Sequence, residues 1–270
     1  MGALMGRTIY LTLQTIGVAV IVFTTMTYSA LAQDAPVSVL SFGVATENGI
    51  PSSNPAATAR GGWIVAAMTE IPFGIRDISH GWLWVQSDWG TWKPTISLSS
   101  SSFDRFSEIA GSIGVSHFRD GLGAFGVKVG LQHVSPGDLG SLNRLFWSLG
   151  TSFSLGEAAE AGFVASKSVV ADGLFTPNEF AGALRVQPLS YLDLLVELGF
   201  SADHGWLGKT AAIANTNFGW LSVGLETSRP LFFAGMGTSV LVWSVNANVS
   251  WHPVLGVSSG VVASYRRKKG

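Results

Sequence analysis

The chain runs to 270 residues, one domain's worth or slightly more. Only 12% of it is charged, about half the share usual in soluble domains, beside 33 glycines, 10 tryptophans and a mean hydropathy of +0.36. That is too little charge to cover a soluble surface, so the composition points to contact with lipid, and a formal charge of -1 excludes a basic nucleic-acid binder.

Residues 1–32 carry one charge, Arg7, followed by an apolar run from Ile9 to about Phe23 and then Ala30-Leu31-Ala32. A basic start, an apolar middle and a small-x-small end make a secretory signal, with cleavage expected before Gln33. Ile9 to Leu31 is also long enough to span a bilayer as a retained helix. Residues 34–60, DAPVSVLSFGVATENGIPSSNPAATAR, do not alternate, and Gly43, Gly49 and Pro51 break any strand. Such a segment is either a tail or a plug folded into a lumen.

Beyond residue 60 the period is two. Leu145, Trp147, Leu149, Phe153 and Leu155 fall on one face; Phe146, Ser148, Gly150, Ser152 and Ser154 fall on the other. Phe125, Val127, Val129 and Leu131 likewise oppose Gly126, Lys128, Gly130 and Gln132. Runs at 91–99, 191–201, 241–252 and 255–266 repeat the pattern, and the polar faces are mostly small residues with few charges. Hydrocarbon offers the backbone no hydrogen-bond partners, so a chain that crosses it with strands must close them into an edgeless sheet. The expectation is an all-β transmembrane antiparallel barrel.

Clear strands are expected at 63–71, 80–87, 91–99, 108–118, 122–134, 145–155, 159–167, 179–187, 191–201, 218–227, 230–237, 240–251 and 255–266. The weakly patterned, Ala-rich 208–215 makes the count even at 14, as bacterial barrels require, with 12 as the alternative. Connections read as short at 120–121, 156–158, 188–190 and 228–230, and long at 135–144, 168–178 and 202–217. The domain reading is 1–32 signal, 33–60 plug, 61–266 barrel and 267–270 basic tail. The tryptophans at 82, 84, 89 and 92 read as an interfacial girdle, with a ligand platform as the alternative.

The motif Asn54-Pro55-Ala56-Ala57, just ahead of the first strand, resembles the long-chain fatty-acid transporter (FadL) superfamily, most nearly its shorter PorV/PorQ-like members. SIGVSHFRDGLGAFGVKVGLQHV (112–134) looks like that family's paired strands, and LSVGLETSRPLFFAGMG (221–237) like its late hairpin. Two departures stand out: Thr227 follows Glu226 where the family carries an aromatic, and the chain ends on Arg266-Arg267-Lys268-Lys269-Gly270 rather than on a terminal aromatic. The resemblance implies a fourteen-stranded barrel with 34–60 as the plug and Asn54 and Pro55 in its fixed turn.

Alternation turns Lys93, Lys128, Gln132, Glu179, Arg185, Asp193, Glu197, Glu226, Asn246 and Asn248 inward, where opposite charges can pair or hold the plug. Lys128 and Arg185 are the candidates for a carboxylate. No catalytic set is expected: Ser116 and His117 are adjacent in a strand and point to opposite faces, and Asp203-His204 lie in an outer loop. With no cysteine and five scattered histidines, neither a metal nor another cofactor is expected. Two functions survive. One is a barrel that anchors or hands over a secreted or envelope protein, as the PorV-like resemblance implies, through outer-loop residues Val169, Val170, Leu174, Phe175, Trp206 and Leu207. The other is a passive conduit for hydrophobic small molecules such as fatty acids. Outer-membrane lipid is the expected surrounding in both.

Overall fold

The computed structural model describes residues 54–56, 62–75, 78–103, 106–136, 140–170, 175–201, 205–227 and 231–267. The signal segment, the start of the expected plug, Ala57 and the last three residues of the basic tail lie outside them.

Strands β1 (Trp63–Ile71), β2 (Ile78–Gln86), β3 (Trp92–Phe103), β4 (Phe106–Arg119) and β5 (Gly123–Pro136) come first. β6 (Leu142–Ser154), β7 (Ala159–Val170), β8 (Phe175–Leu189), β9 (Leu192–Ser201) and β10 (Gly205–Thr216) follow. β11 (Gly219–Glu226), β12 (Leu231–Val240), β13 (Trp243–His252) and β14 (Gly256–Arg267) complete a closed barrel in which each strand pairs antiparallel with its neighbours in sequence. β1 closes on β14 from Trp63 opposite Arg267 to Ile71 opposite Ser259. No edge is left, so the ladder satisfies the strand backbones without water.

The faces alternate as the side chains dictate. Ile113, Leu131, Leu198 and Val223 point out and are more than half exposed, while Ser116, Ser148, Ser152 and Ser264 point in and are buried. An apolar exterior and a small, polar interior invert the soluble arrangement; this surface meets hydrocarbon. Aromatic side chains gather on the outside towards both rims. Tyr265 lies between Trp63 and Trp243, with ring centroids at 5.5 and 5.0 Å. Trp206 packs edge-on against Phe180 and Phe200 near the opposite rim.

The weak segment 208–215 is strand β10, its Lys209–Thr216 paired with β11 and Gly205–Ala214 with β9. The expected long connections are short. β5 runs on to Pro136, β7 to Val170, and β8 starts at Phe175, so 171–174 is all that joins them. Pairing continues where Ser, Gly and Ala erase the alternation, because the ladder needs backbone and not side chains. Connection 228–230, grouped with the short set at one rim, sits at the other because β10 intervenes.

Candidate functional site

The site is the inner wall. Lys93, Lys128, Gln132, Arg185, Asp193, Glu197 and Glu226 all lie on its face, but the structure gives them different partners. Lys93 holds the β2–β3 turn, donating to Asp88 Oδ1 and to the Gly90 carbonyl. Arg185 Nη2 meets Asp193 Oδ2 at 2.9 Å, and Asn215 Nδ2 donates to the same oxygen at 2.9 Å. Lys209 lies opposite both Glu197 and Glu226 and is 3.8 Å from the Glu226 carboxylate. Gln132 stands opposite Arg144. These are buried charges neutralised by neighbours, the arrangement a low-dielectric wall demands.

Lys128 differs. It stands opposite Ser148 on β6 and Gly114 on β4, between Gly126 and Gly130 along its own strand. Among the described residues no carboxylate pairs with it. Of the two carboxylate candidates read from sequence, Arg185 is therefore occupied by Asp193, and Lys128 has no such partner among the described residues. Buried hydroxyls surround it, on Ser112, Ser116 and Ser148.

One pair further along β5 lies the turn Asn54-Pro55-Ala56. Asn54 and Ala56 are 1% exposed. Asn54 Nδ2 donates to the Thr151 carbonyl at 3.0 Å, and Asn54 Oδ1 accepts the Ala56 amide at 2.9 Å, closing an Asx turn. Proline at the second position fixes its own φ and holds Asn54 extended, so the amide reaches the wall. Phe118 and Ala124 pack on Ala56.

The tryptophans divide. Trp89 and Trp92 are exposed on the outside, as a girdle requires, but Trp82 and Trp84 point inward and stack at 6.4 Å with an interplanar angle of 12°. The girdle reading is thus corrected for two of the four. Their face is fixed by register: Trp84 stands opposite Ala66 and Ser97, Trp82 opposite Met68 and Ser99. With Ile64 and Ala66 they form an apolar cluster on β1 and β2. A second inner cluster, Val164, Ala181, Ala183 and Leu195, lies on β7, β8 and β9. β1 and β8 are seven strands apart in either direction round the ring, so the two patches occupy opposite sides of the barrel. Elsewhere the inner aromatics lie flat over glycines: Trp220 covers Gly235 and Gly237, Phe146 covers Gly130, and Phe233 covers Gly224.

Five of the six outer-loop candidates are strand residues. Val169 and Val170 end β7, Phe175 opens β8, and Trp206 and Leu207 belong to β10; Leu174 lies outside the described residues. Trp206 is on the outer face, part of the aromatic cluster near the rim. Ser116 is buried inside, and His117, on the opposite face, packs against Trp92.

No family model and no curated protein matches the chain. Solved structures do. The toluene transporter TbuX of Ralstonia pickettii is 6% identical, with a TM-score of 0.60 over 80% of this chain and 92% of that one. The Pseudomonas putida toluene transporter TodX is 12% identical, with a TM-score of 0.57 over 79% of this chain and 91% of that one. A Pseudomonas aeruginosa FadL homologue is 12% identical, with a TM-score of 0.55 over 79% and 92%. The fold is that of the FadL-type channels. At such identities the likeness is one of architecture, and it does not set the PorV/PorQ-like members apart from other FadL-type barrels.

Proposed function

We propose that the chain is an outer-membrane conduit for small hydrophobic molecules, which cross the lumen between the two apolar patches. The observation that carries this reading is the inward Trp82–Trp84 stack with Ile64 and Ala66, opposite Val164, Ala181, Ala183 and Leu195. A barrel with only a structural role needs no such opposed patches. That TbuX and TodX are toluene transporters of the same fold supports the choice of substrate class. The leader 1–32 directs export and is cleaved, 33–60 is the plug held by its Asn54–Ala56 turn, and Lys128 meets the carboxylate of an acidic substrate. The protein-anchoring reading loses support, because five of the six residues it relied on are strand positions and the connections at that rim are short.

The test is mass spectrometry of protein extracted from native outer membranes in mild detergent, followed by uptake of labelled toluene and oleate into proteoliposomes. A stoichiometric apolar molecule and uptake above that of empty vesicles are expected, with uptake reduced by Trp82→Ala/Trp84→Ala. A stoichiometric protein partner, no small molecule and no uptake would overturn the reading.

A further inference from the structure

Six turns close hairpins at the rim where β1 begins and β14 ends, and each carries a large, exposed apolar side chain: Trp89, Leu122, Leu155, Tyr191, Phe218 and Leu241. All six are more than half exposed, and Phe218 and Leu241 reach 87% and 91%. Turns that stand in water are ordinarily polar. By sequence most connections at the opposite rim carry charge, with Arg76-Asp77, Asp104-Arg105, Asp203-His204 and Arg229; apolar residues stand there too, at Phe73 and Ile75 and in 253–255.

We propose that this rim is a lipid-contact surface, with the six turn tips inserted at the boundary between headgroups and acyl chains of the adjoining leaflet. The first argument is continuity with the outer belt. Leu155 continues the outward series that runs through Leu145, Leu149 and Phe153, and Leu241 continues the one through Trp251, Val245 and Trp243.

The second is height. A strand tilted about 40° advances about 2.5 Å of membrane depth per residue. The outward run from Leu145 to Phe153 then covers about 20 Å and gains about 5 Å when Leu155 is included, reaching the ~25 Å band of outer-membrane barrels. Leu241 lengthens the β13 run by the same step. On β5 the run from Phe125 to Leu131 covers only about 15 Å, and Leu122 extends it to about 23 Å.

The third is conformational. Leu241 has φ +59°, a left-handed turn position that Gly, Asn or Asp adopt far more readily. A leucine there gives up local ease for an apolar tip. Asp120 and Glu157, exposed in the same set of turns, fit a boundary layer rather than the hydrocarbon interior. The barrel thus sits with this rim drawn into the membrane surface and the charged rim standing clear.

Because the chain has no cysteine, single nitroxide labels can be placed through Leu122→Cys, Leu155→Cys, Phe218→Cys and Leu241→Cys. Phe125→Cys in the belt and Ser141→Cys at the opposite rim serve as references. The full chain is reconstituted into phosphatidylethanolamine/phosphatidylglycerol vesicles, and collisions with oxygen and with a water-soluble nickel chelate are compared. Tip ratios of oxygen to nickel close to that of Phe125→Cys, and several-fold above Ser141→Cys, are expected. Tips as nickel-accessible as Ser141→Cys would overturn the proposal and leave the ring as a docking face for a soluble protein. Compact migration on gels before heating identifies folded variants. Label-free, Trp89→Phe should remove part of the fluorescence quenching by headgroup-proximal brominated lipid; unchanged quenching would count against lipid contact. Neither readout depends on transport.

Discussion

Gly126 stands directly opposite Gly150 across β5 and β6, and the turn Asn54-Pro55-Ala56 occupies the space that their missing side chains leave. A Cβ on Gly126 would meet the Pro55 carbonyl carbon at 2.5 Å, and one on Gly150 would overlap Asn54 Oδ1. Both obstructions are at or beside the turn's backbone, so neither can swing aside. Gly150→Ala and Gly126→Ala are therefore expected to dislodge the turn while leaving the barrel closed. Hydrogen exchange at the Ala56 amide reads the result: protection should be lost in both variants and kept in Gly81→Ala, whose added methyl meets nothing.

Removing the motif's first side chain tests the other half of that contact. Asn54→Ala loses the bond to the Thr151 carbonyl and leaves the buried Ala56 amide without its acceptor. The local cost should be about 1–3 kcal/mol. Faster proteolysis ahead of β1, with an unchanged barrel melting temperature, is the expected pattern.

The Arg185–Asp193 pair predicts strong non-additivity. Arg185→Met leaves the Asp193 carboxylate buried with only Asn215 beside it and should cost about 3–5 kcal/mol. The double variant Arg185→Met/Asp193→Leu removes both charges and should restore most of that loss. Urea unfolding in detergent micelles measures the cycle; a double-variant cost equal to the sum of the two single-variant costs would show that the pair is not coupled.

Lys128 should behave in the opposite way. No carboxylate among the described residues pairs with it, so Lys128→Met should leave the barrel as stable or more so. If it receives a substrate carboxylate, the variant should lose its preference for a fatty acid over the corresponding methyl ester, read as relative uptake. A drop in stability instead would mark Lys128 as a structural partner.

Much of the barrel was legible because crossing hydrocarbon imposes period two on the sequence, and runs such as 122–132 and 145–155 face as their alternation requires. The misplaced parts share a cause. In His80-Gly81-Trp82-Leu83-Trp84-Val85-Gln86 both faces are apolar, so alternation cannot say which one turns inward; the registers with β1 and β3 decide it. Segment 205–216 is rich in small residues, which pair well but leave little pattern, so only 208–215 reads as strand and Trp206 and Leu207 read as loop residues. In the lumen, sequence named Lys128 and Arg185 together; only the pairing of β8 with β9 and of β9 with β10 shows that Asp193 and Asn215 converge on one of them. The glycine notch could not be seen, because glycine in a strand looks the same whether it relieves crowding or merely fills a small face.

The seam between β1 and β14 joins segments separated by roughly two hundred residues of chain, whereas every other pairing in the ring joins neighbours in sequence. Contacts that remote carry the largest loop-closure entropy and form last. Until Trp63 finds Arg267, the growing sheet presents two open edges, the state most prone to pairing with other chains. Truncation anywhere inside β14 should thus yield an open, aggregating ribbon rather than a thirteen-stranded barrel. The edge-on Trp63–Tyr265–Trp243 aromatic cluster bridging that seam is accordingly expected to act as a clasp when the ring closes.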